Sequence, residues 1–165
     1  MPPSVPELTT ARCILNEVTE DDIPALKSIF TDATTQRFLP DLCEIAKTNE
    51  GIRNILQSFR LYLKKKEGVL WGIRHRGELI GFVATMDLSF NPTIFFAMHH
   101  EYRNQGMMIE SVQIATQYII ESNFCTELYS EVNVDNIASQ RVLVTCGYRF
   151  CKEYAGKRIY KTYFN

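Results

Sequence analysis

The spacing of apolar residues between Val69 and Glu121 changes once, and that change most limits the folds open to this chain. Three β-like runs come first: Val69–His75, Glu78–Met86 and Thr93–Met98 (TIFFAM). Arg76-Gly77 separates the first two with a hairpin signal, and Asn91-Pro92 marks the next turn. After Gly106 the period becomes helical. Met108, Val112, Ala115 and Ile119 share one face, Ile114 and Tyr118 flank it, and Glu110, Gln113, Gln117 and Glu121 form the opposite face. A further strand, Leu128–Val134, follows. Consecutive strands favour antiparallel pairing, whereas strand–helix–strand around Gly106 favours one parallel crossover. The expected fold class is α/β, built as a mixed, mostly antiparallel sheet with helices on both faces.

The flanks extend this pattern. Residues 1–10 are Pro-rich and read as a loose lead-in, and Ala11–Val18 (ARCILNEV) reads as a strand. Thr19-Glu20-Asp21-Asp22 has the form of a helix start, a hydroxyl cap followed by acids that favour the positive end of the helix dipole. Pro24 is tolerated near the first turn. This helix is expected to run to about Asp32, with a loop through Pro40. From about Asn49, Ile52, Ile55, Leu56, Phe59, Tyr62 and Leu63 recur at helical spacing up to Gly68. A short helix from Asn136 to Cys146 stops at Gly147, where a left-handed residue is expected. Strands near Tyr148–Tyr154 and Arg158–Phe164 complete the chain. Repeats, low-complexity segments and linkers are absent from the sequence, so residues 1–165 are expected to form a single domain.

A net charge of −1 and a pI of about 6.3 give no electrostatic footprint for nucleic acid or an anionic membrane. Lys64-Lys65-Lys66 is the only basic run and reads as the solvated end of a helix. Five cysteines without CxxC spacing fit neither a disulfide framework nor a zinc site. No stretch approaches the length of a membrane span, and MPPSVPELTT lacks the apolar core of a signal peptide. A reducing cytoplasm, no metal and no membrane or nucleic-acid partner are the resulting expectations.

Two segments carry chemistry. In Met98–Glu110 a buried strand passes through His99-His100-Glu101 into Arg103-Asn104-Gln105-Gly106 and then a helix. Free N–H groups and the dipole at a helix N-terminus make an anion site, and glycine lets the backbone approach a bulky phosphate. Arg103 adds a possible charge-assisted contact. Alone, so short a pattern is equally an ordinary turn before a helix. The second segment runs from Asn133 to Leu143 and closes with Cys146-Gly147-Tyr148. Asn136 and Ser139 project from one side of the helix start. Singly, Asn136 or Asp135 reads as an N-cap and Ser139 as a surface residue. Together, the parallel crossover brings both segments to the carboxyl ends of neighbouring strands, where open α/β sheets bind ligands.

These residues resemble the GNAT superfamily of acetyl-CoA-dependent N-acetyltransferases, and nearly the whole chain takes part. The most similar branch is that of the ribosomal-protein N-terminal acetyltransferases. Leu8-Thr9-Thr10-Ala11-Arg12-Cys13-Ile14-Leu15 resembles its opening, L-x-T-x-R-L-x-L. Glu101 through Gly106, with Glu110 beyond, stands where the family has its coenzyme A pyrophosphate loop, Q/R-x-x-G-x-G/A. Asn136-Ile137-Ala138-Ser139-Gln140-Arg141-Val142-Leu143 followed by Gly147-Tyr148 matches N-x-x-S-x-R-V-L…G-F/Y and is the most specific of these motifs.

The resemblance implies acetyl transfer from acetyl-CoA to a primary amine, either a protein N-terminus or a small molecule, by a monomer or homodimer. Backbone amides from Gln105 through Met108, with Arg103, Asn104, Gly106 and Met107 in the same loop, would hold the pyrophosphate. Ala97, Met98 and His99 would splay from the neighbouring strand and bind the pantetheine arm. Asn136 would bind that arm too, with Ser139 near the thiolate. Many relatives carry a Tyr general acid where this chain has Leu143, and Ser139 is the substitute candidate. For the base, His99 beside His100 is one candidate, since histidine is the usual residue type for general-base work, but the pair equally suits a hydrogen-bonded strand end; Glu131 is the other candidate. Met108 replaces the last Gly/Ala of the loop. Its N–H still donates, and its side chain is expected to turn toward the core. The competing expectation is a GNAT-fold binding or regulatory domain without turnover. Acceptor contacts are expected from about Asp32–Asn49 and the last two strands. Trp71, Phe95 and Phe96 are expected to fill the core, with an aromatic near the crevice able to shape the acceptor pocket, and Cys146 and Cys151 are expected as buried small apolar residues.

Overall fold

The computed structural model describes residues 3–162. Its strands are β1 (Leu8–Thr9), β2 (Ile14–Asn16), β3 (Val69–His75), β4 (Glu78–Met86), β5 (Thr93–Met98), β6 (Tyr129–Asn133), β7 (Tyr148–Tyr154) and β8 (Lys157–Thr162). They form one sheet in the order β1-β2-β3-β4-β5-β6-β8-β7. Every neighbouring pair is antiparallel except β5 and β6. The helices are α1 (Ile23–Phe30), α2 (Ala33–Phe38), α3 (Pro40–Ile45), α4 (Asn49–Lys64), α5 (Met107–Glu121) and α6 (Ile137–Thr145). The mixed sheet expected from the sequence is the fold observed.

Local chemistry explains the central elements. Arg76 and Gly77 have φ of 52° and 82°, so the β3–β4 hairpin closes through two left-handed residues whose twist matches the flanking strands. Along β5 the side chains alternate between two cores. Ile94, Phe96 and Met98 join Met107, Met108, Val112, Ala115 and Ile119 of α5. Phe95 and Ala97 pack on the opposite layer, with α1 and α4. Trp71 is fully buried in the first core, edge-on to Tyr118, and its indole N–H donates to the Pro6 carbonyl at 2.9 Å.

The β5–β6 pair positions the site. The two strands are in register only at Thr93 and Tyr129. Tyr129 N–H donates to the Pro92 carbonyl at 2.8 Å, and the Ser130 hydroxyl to the Ile94 carbonyl at 2.9 Å. β6 meanwhile pairs along its whole length with β8, from Tyr129–Lys161 to Asn133–Lys157. β5 and β6 are thus joined at their amino ends and part toward their carboxyl ends.

Three local expectations are corrected. The lead-in is anchored, since Val5 and Leu8 pack on the core and Leu8–Thr9 is a strand. Ala11–Val18 contributes only Ile14–Asn16, because Thr10 and Cys13 form a turn in which Thr10 N–H donates to the Cys13 carbonyl at 2.8 Å. The expected loop through Pro40 is helical: the Asp32 carboxylate accepts from Thr34 and Thr35 N–H at 3.0 and 3.2 Å and starts α2. Tyr163 and Phe164 of the expected last strand lie outside the described residues. Among the described residues, no helix is long and apolar enough to cross a membrane.

Candidate active site

The gap between β5 and β6 opens into a cavity of about 490 Å³. That size suits a small-molecule site. Phe95 through Met98 line one wall and Ser130 through Asn133 the other, so the parting of the two strands makes the space. The N-terminus of α5 meets it on one face of the sheet, and Thr34, Thr35, Phe38 and Leu39 of α2 border it as well.

Asn104, Gln105, Gly106, Met107 and Met108 all border this cavity. Asn104 and Gly106 both have left-handed backbones, with φ of 62° and 82°. Gly106 is the N-cap of α5, and no side chain caps that terminus. The first ladder bond runs from Glu110 N–H to the Gly106 carbonyl at 3.2 Å, which leaves the amides of Met107, Met108 and Ile109 ahead of the ladder. Met107 and Met108 are buried in the core at 2% and 9% exposure, so the methionine that replaces a family glycine turns its side chain away from the loop.

Arg103 borders the cavity, but its guanidinium is committed elsewhere. It donates to the Met98 carbonyl at 3.0 Å, to Asp32 at 2.9 Å and to the Thr35 hydroxyl at 3.4 Å. Rather than a free phosphate partner, Arg103 is a brace between the loop and α2. Burial alone would raise the Asp32 carboxyl, but the Arg103 hydrogen bond and the amides of Thr35 and Thr34 outweigh it and hold the group below the usual carboxylate range.

Asn136 and Ser139 are half-buried and meet the same cavity. The Asn136 amide oxygen accepts from Ser139 N–H at 3.2 Å, so Asn136 caps α6 while also facing the crevice. Leu143, where many relatives carry a tyrosine, is fully buried. Glu131 borders the cavity from β6, is exposed, and has no ion-pair partner among the described residues.

His99 follows directly on the last residue of β5. Its Nδ1 accepts from Glu101 N–H at 3.2 Å, its ring stacks on His100 at 4.4 Å, and it does not border the cavity. It closes the end of β5, as the hydrogen-bonded strand-end alternative required. The last two strands also contribute nothing to the cavity lining. Cys151 is exposed rather than interior, whereas Cys146 is half-buried and burial pushes its thiol up to about 12.

The profile of the acetyltransferase (GNAT) domain family matches residues 12–149. The chain belongs to the GNAT acetyltransferase family. This GNAT chain is 27% identical over 149 residues to the uncharacterized N-acetyltransferase YoaA of Bacillus subtilis (strain 168), covering 87% of this chain and 83% of that one. Its fold resembles RimL, the ribosomal L7/L12 alpha-N-protein acetyltransferase solved in complex with coenzyme A. That match has a TM-score of 0.83 and 19% identity over 94% and 97% of the two chains. It also resembles the microcin C7 self-immunity acetyltransferase MccE, solved with acetyl-CoA and AMP, with a TM-score of 0.73 and 10% identity over 94% of each chain.

Some residues of this GNAT site escape sequence reasoning. Arg141, Val142 and Ile109 border the cavity because α5 and α6 pack side by side, which no local pattern encodes. The α2 wall of Thr34, Thr35, Phe38 and Leu39 had a readable signal, since Asp32 before Ala33 is a good N-cap.

Proposed function

We propose that this protein transfers an acetyl group from acetyl-CoA to a primary amine. The parting of β5 and β6 beside the uncapped start of α5 carries this reading. The amides of Met107, Met108 and Ile109, which precede the helix ladder, suit a pyrophosphate together with left-handed Gly106. On the side of β5 that β6 leaves open, the Met98 N–H suits an amide carbonyl of the pantetheine arm, and Asn136 borders the same cavity.

In the reaction the acceptor nitrogen gives up a proton and attacks the thioester carbonyl carbon. The new C–N bond forms as the C–S bond breaks, and the sulfur leaves as a thiol after gaining one proton. Glu131, the unpaired carboxylate in the lining, serves as the base and the docking point for the ammonium form. Ser139 donates toward the departing sulfur. The apolar α2 wall of Phe38 and Leu39 receives the acceptor's carbon frame. The likeness to RimL makes protein α-amines the first acceptors to try, ahead of small amines. The whole chain acts as one catalytic unit in the cytoplasm, a setting compatible with its free cysteines.

Isothermal titration with acetyl-CoA tests the donor, and an acceptor screen read by free thiol release tests the reaction. Absence of binding at millimolar acetyl-CoA would sink this reading. The competing possibility, a binding domain without turnover, draws its support from the replacement of the loop's last Gly/Ala by Met108.

A further inference from the structure

We infer that Arg12 is a positioning residue for the coenzyme A loop, acting through Glu110. This rests on the coenzyme A reading above. Glu110 lies in the first turn of α5, one turn from the amides assigned to the pyrophosphate. An unpaired carboxylate there would repel an anionic ligand. Its charge is instead met from the chain's opening segment. The Thr10 hydroxyl donates to Oε1 at 2.8 Å and Arg12 N–H to the same oxygen at 3.1 Å. Arg12 Nε and Nη2 both reach Oε2 at 2.6 Å. The T-x-R spacing of Thr10 and Arg12 therefore has a physical role: a hydroxyl and a guanidinium two residues apart converge on one carboxylate.

The same guanidinium buttresses the loop glycine. A Cβ at Gly106 would meet Arg12 Nη2 at 3.0 Å, so Arg12 packs directly behind the residue that opens α5. Because no side chain caps this terminus, the Arg12–Glu110 pair is the tie that fixes its start while keeping its amides free. Arg12 does not border the cavity, so it orients the loop and neutralises Glu110 without touching the ligand.

The test compares CoA binding by titration with KM values for acetyl-CoA and for acetyl-pantetheine, which lacks the pyrophosphate. Arg12→Ala should raise the Kd for CoA by about tenfold, the scale of one lost charge-assisted contact. The KM for acetyl-CoA should follow, while that for acetyl-pantetheine stays near the parent value. The double variant Arg12→Ala/Glu110→Gln, which removes the stranded charge, should bind CoA more tightly than Arg12→Ala alone. Equal losses with both donors, or a double variant no better than the single, would overturn the inference and leave the pair a simple fold tether. If the parent protein binds CoA and Arg12→Ala binds it equally well, the inference fails alone; a parent that fails to bind removes the coenzyme A reading as well.

Discussion

Gly106 shows how one residue serves two demands at once. Its φ of 82° suits glycine, and its missing side chain leaves room for Arg12. Alanine there adds backbone strain of about 1 kcal/mol and crowds the guanidinium, so Gly106→Ala should weaken CoA binding and lower stability modestly. Gly106→Asp also sets a negative charge at the phosphates and should abolish binding in a titration; unchanged affinity would refute this placement of the loop. Ser139 is the second residue-scale test. Ser139→Ala keeps the α6 cap, because the contact uses the Ser139 amide and not its hydroxyl. Turnover should fall by ~10²-fold if the hydroxyl protonates the thiolate, with CoA affinity retained, and unaltered turnover removes Ser139 from that role.

At the scale of elements, α2 is held in place by a few polar contacts. Asp32 caps it, pairs with Arg103 at 2.9 Å, and stands 3.6 Å from His100. Asp32→Ala should cost about 1–2 kcal/mol from the lost cap alone, seen as a lower urea midpoint. It should also raise the acceptor KM more than the acetyl-CoA KM if the α2 wall of the cavity receives the acceptor as proposed. Equal changes in both would show that α2 has no special part in acceptor binding. The same element marks a limit of sequence reading. The runs of β3, β4 and β5 are legible because each is apolar, continuous and bounded by turn residues. α2 and α3 are too short for a periodic pattern, and their local signals are the Asp32 cap for α2 and Pro40 in the first turn of α3.

For the whole molecule, acid sensitivity follows from three braced carboxylates. Burial would raise each, yet hydrogen bonds and ion pairs outweigh it: Arg74 and the Thr19 amide for Asp22, Arg103 and the α2 amides for Asp32, Thr10 and Arg12 for Glu110. A folded pKa below the unfolded value near ~4 stabilises at neutral pH and is lost as pH falls. Stability should therefore be flat above about pH 5 and drop as pH passes below about 4, measured by urea unfolding across that range. Replacing Asp32 or Glu110 by its amide should flatten the drop. Ligand linkage gives a second molecular test: acetyl-CoA at about a hundred times its Kd should add about 2.7 kcal/mol of stability to the parent and nothing to Gly106→Asp. The sequence alone determined the mixed sheet, the turn at Arg76-Gly77, the helix after Gly106 and the Asn136–Ser139 segment, because apolar period, turn chemistry and capping act over a few residues. Only the tertiary structure decided that β5 and β6 part, that His99 seals a strand end, that Arg103 is taken by Asp32 and that Arg12 meets Glu110 98 residues away. Those outcomes depend on which distant groups packing brings within hydrogen-bond reach, and no local pattern records that.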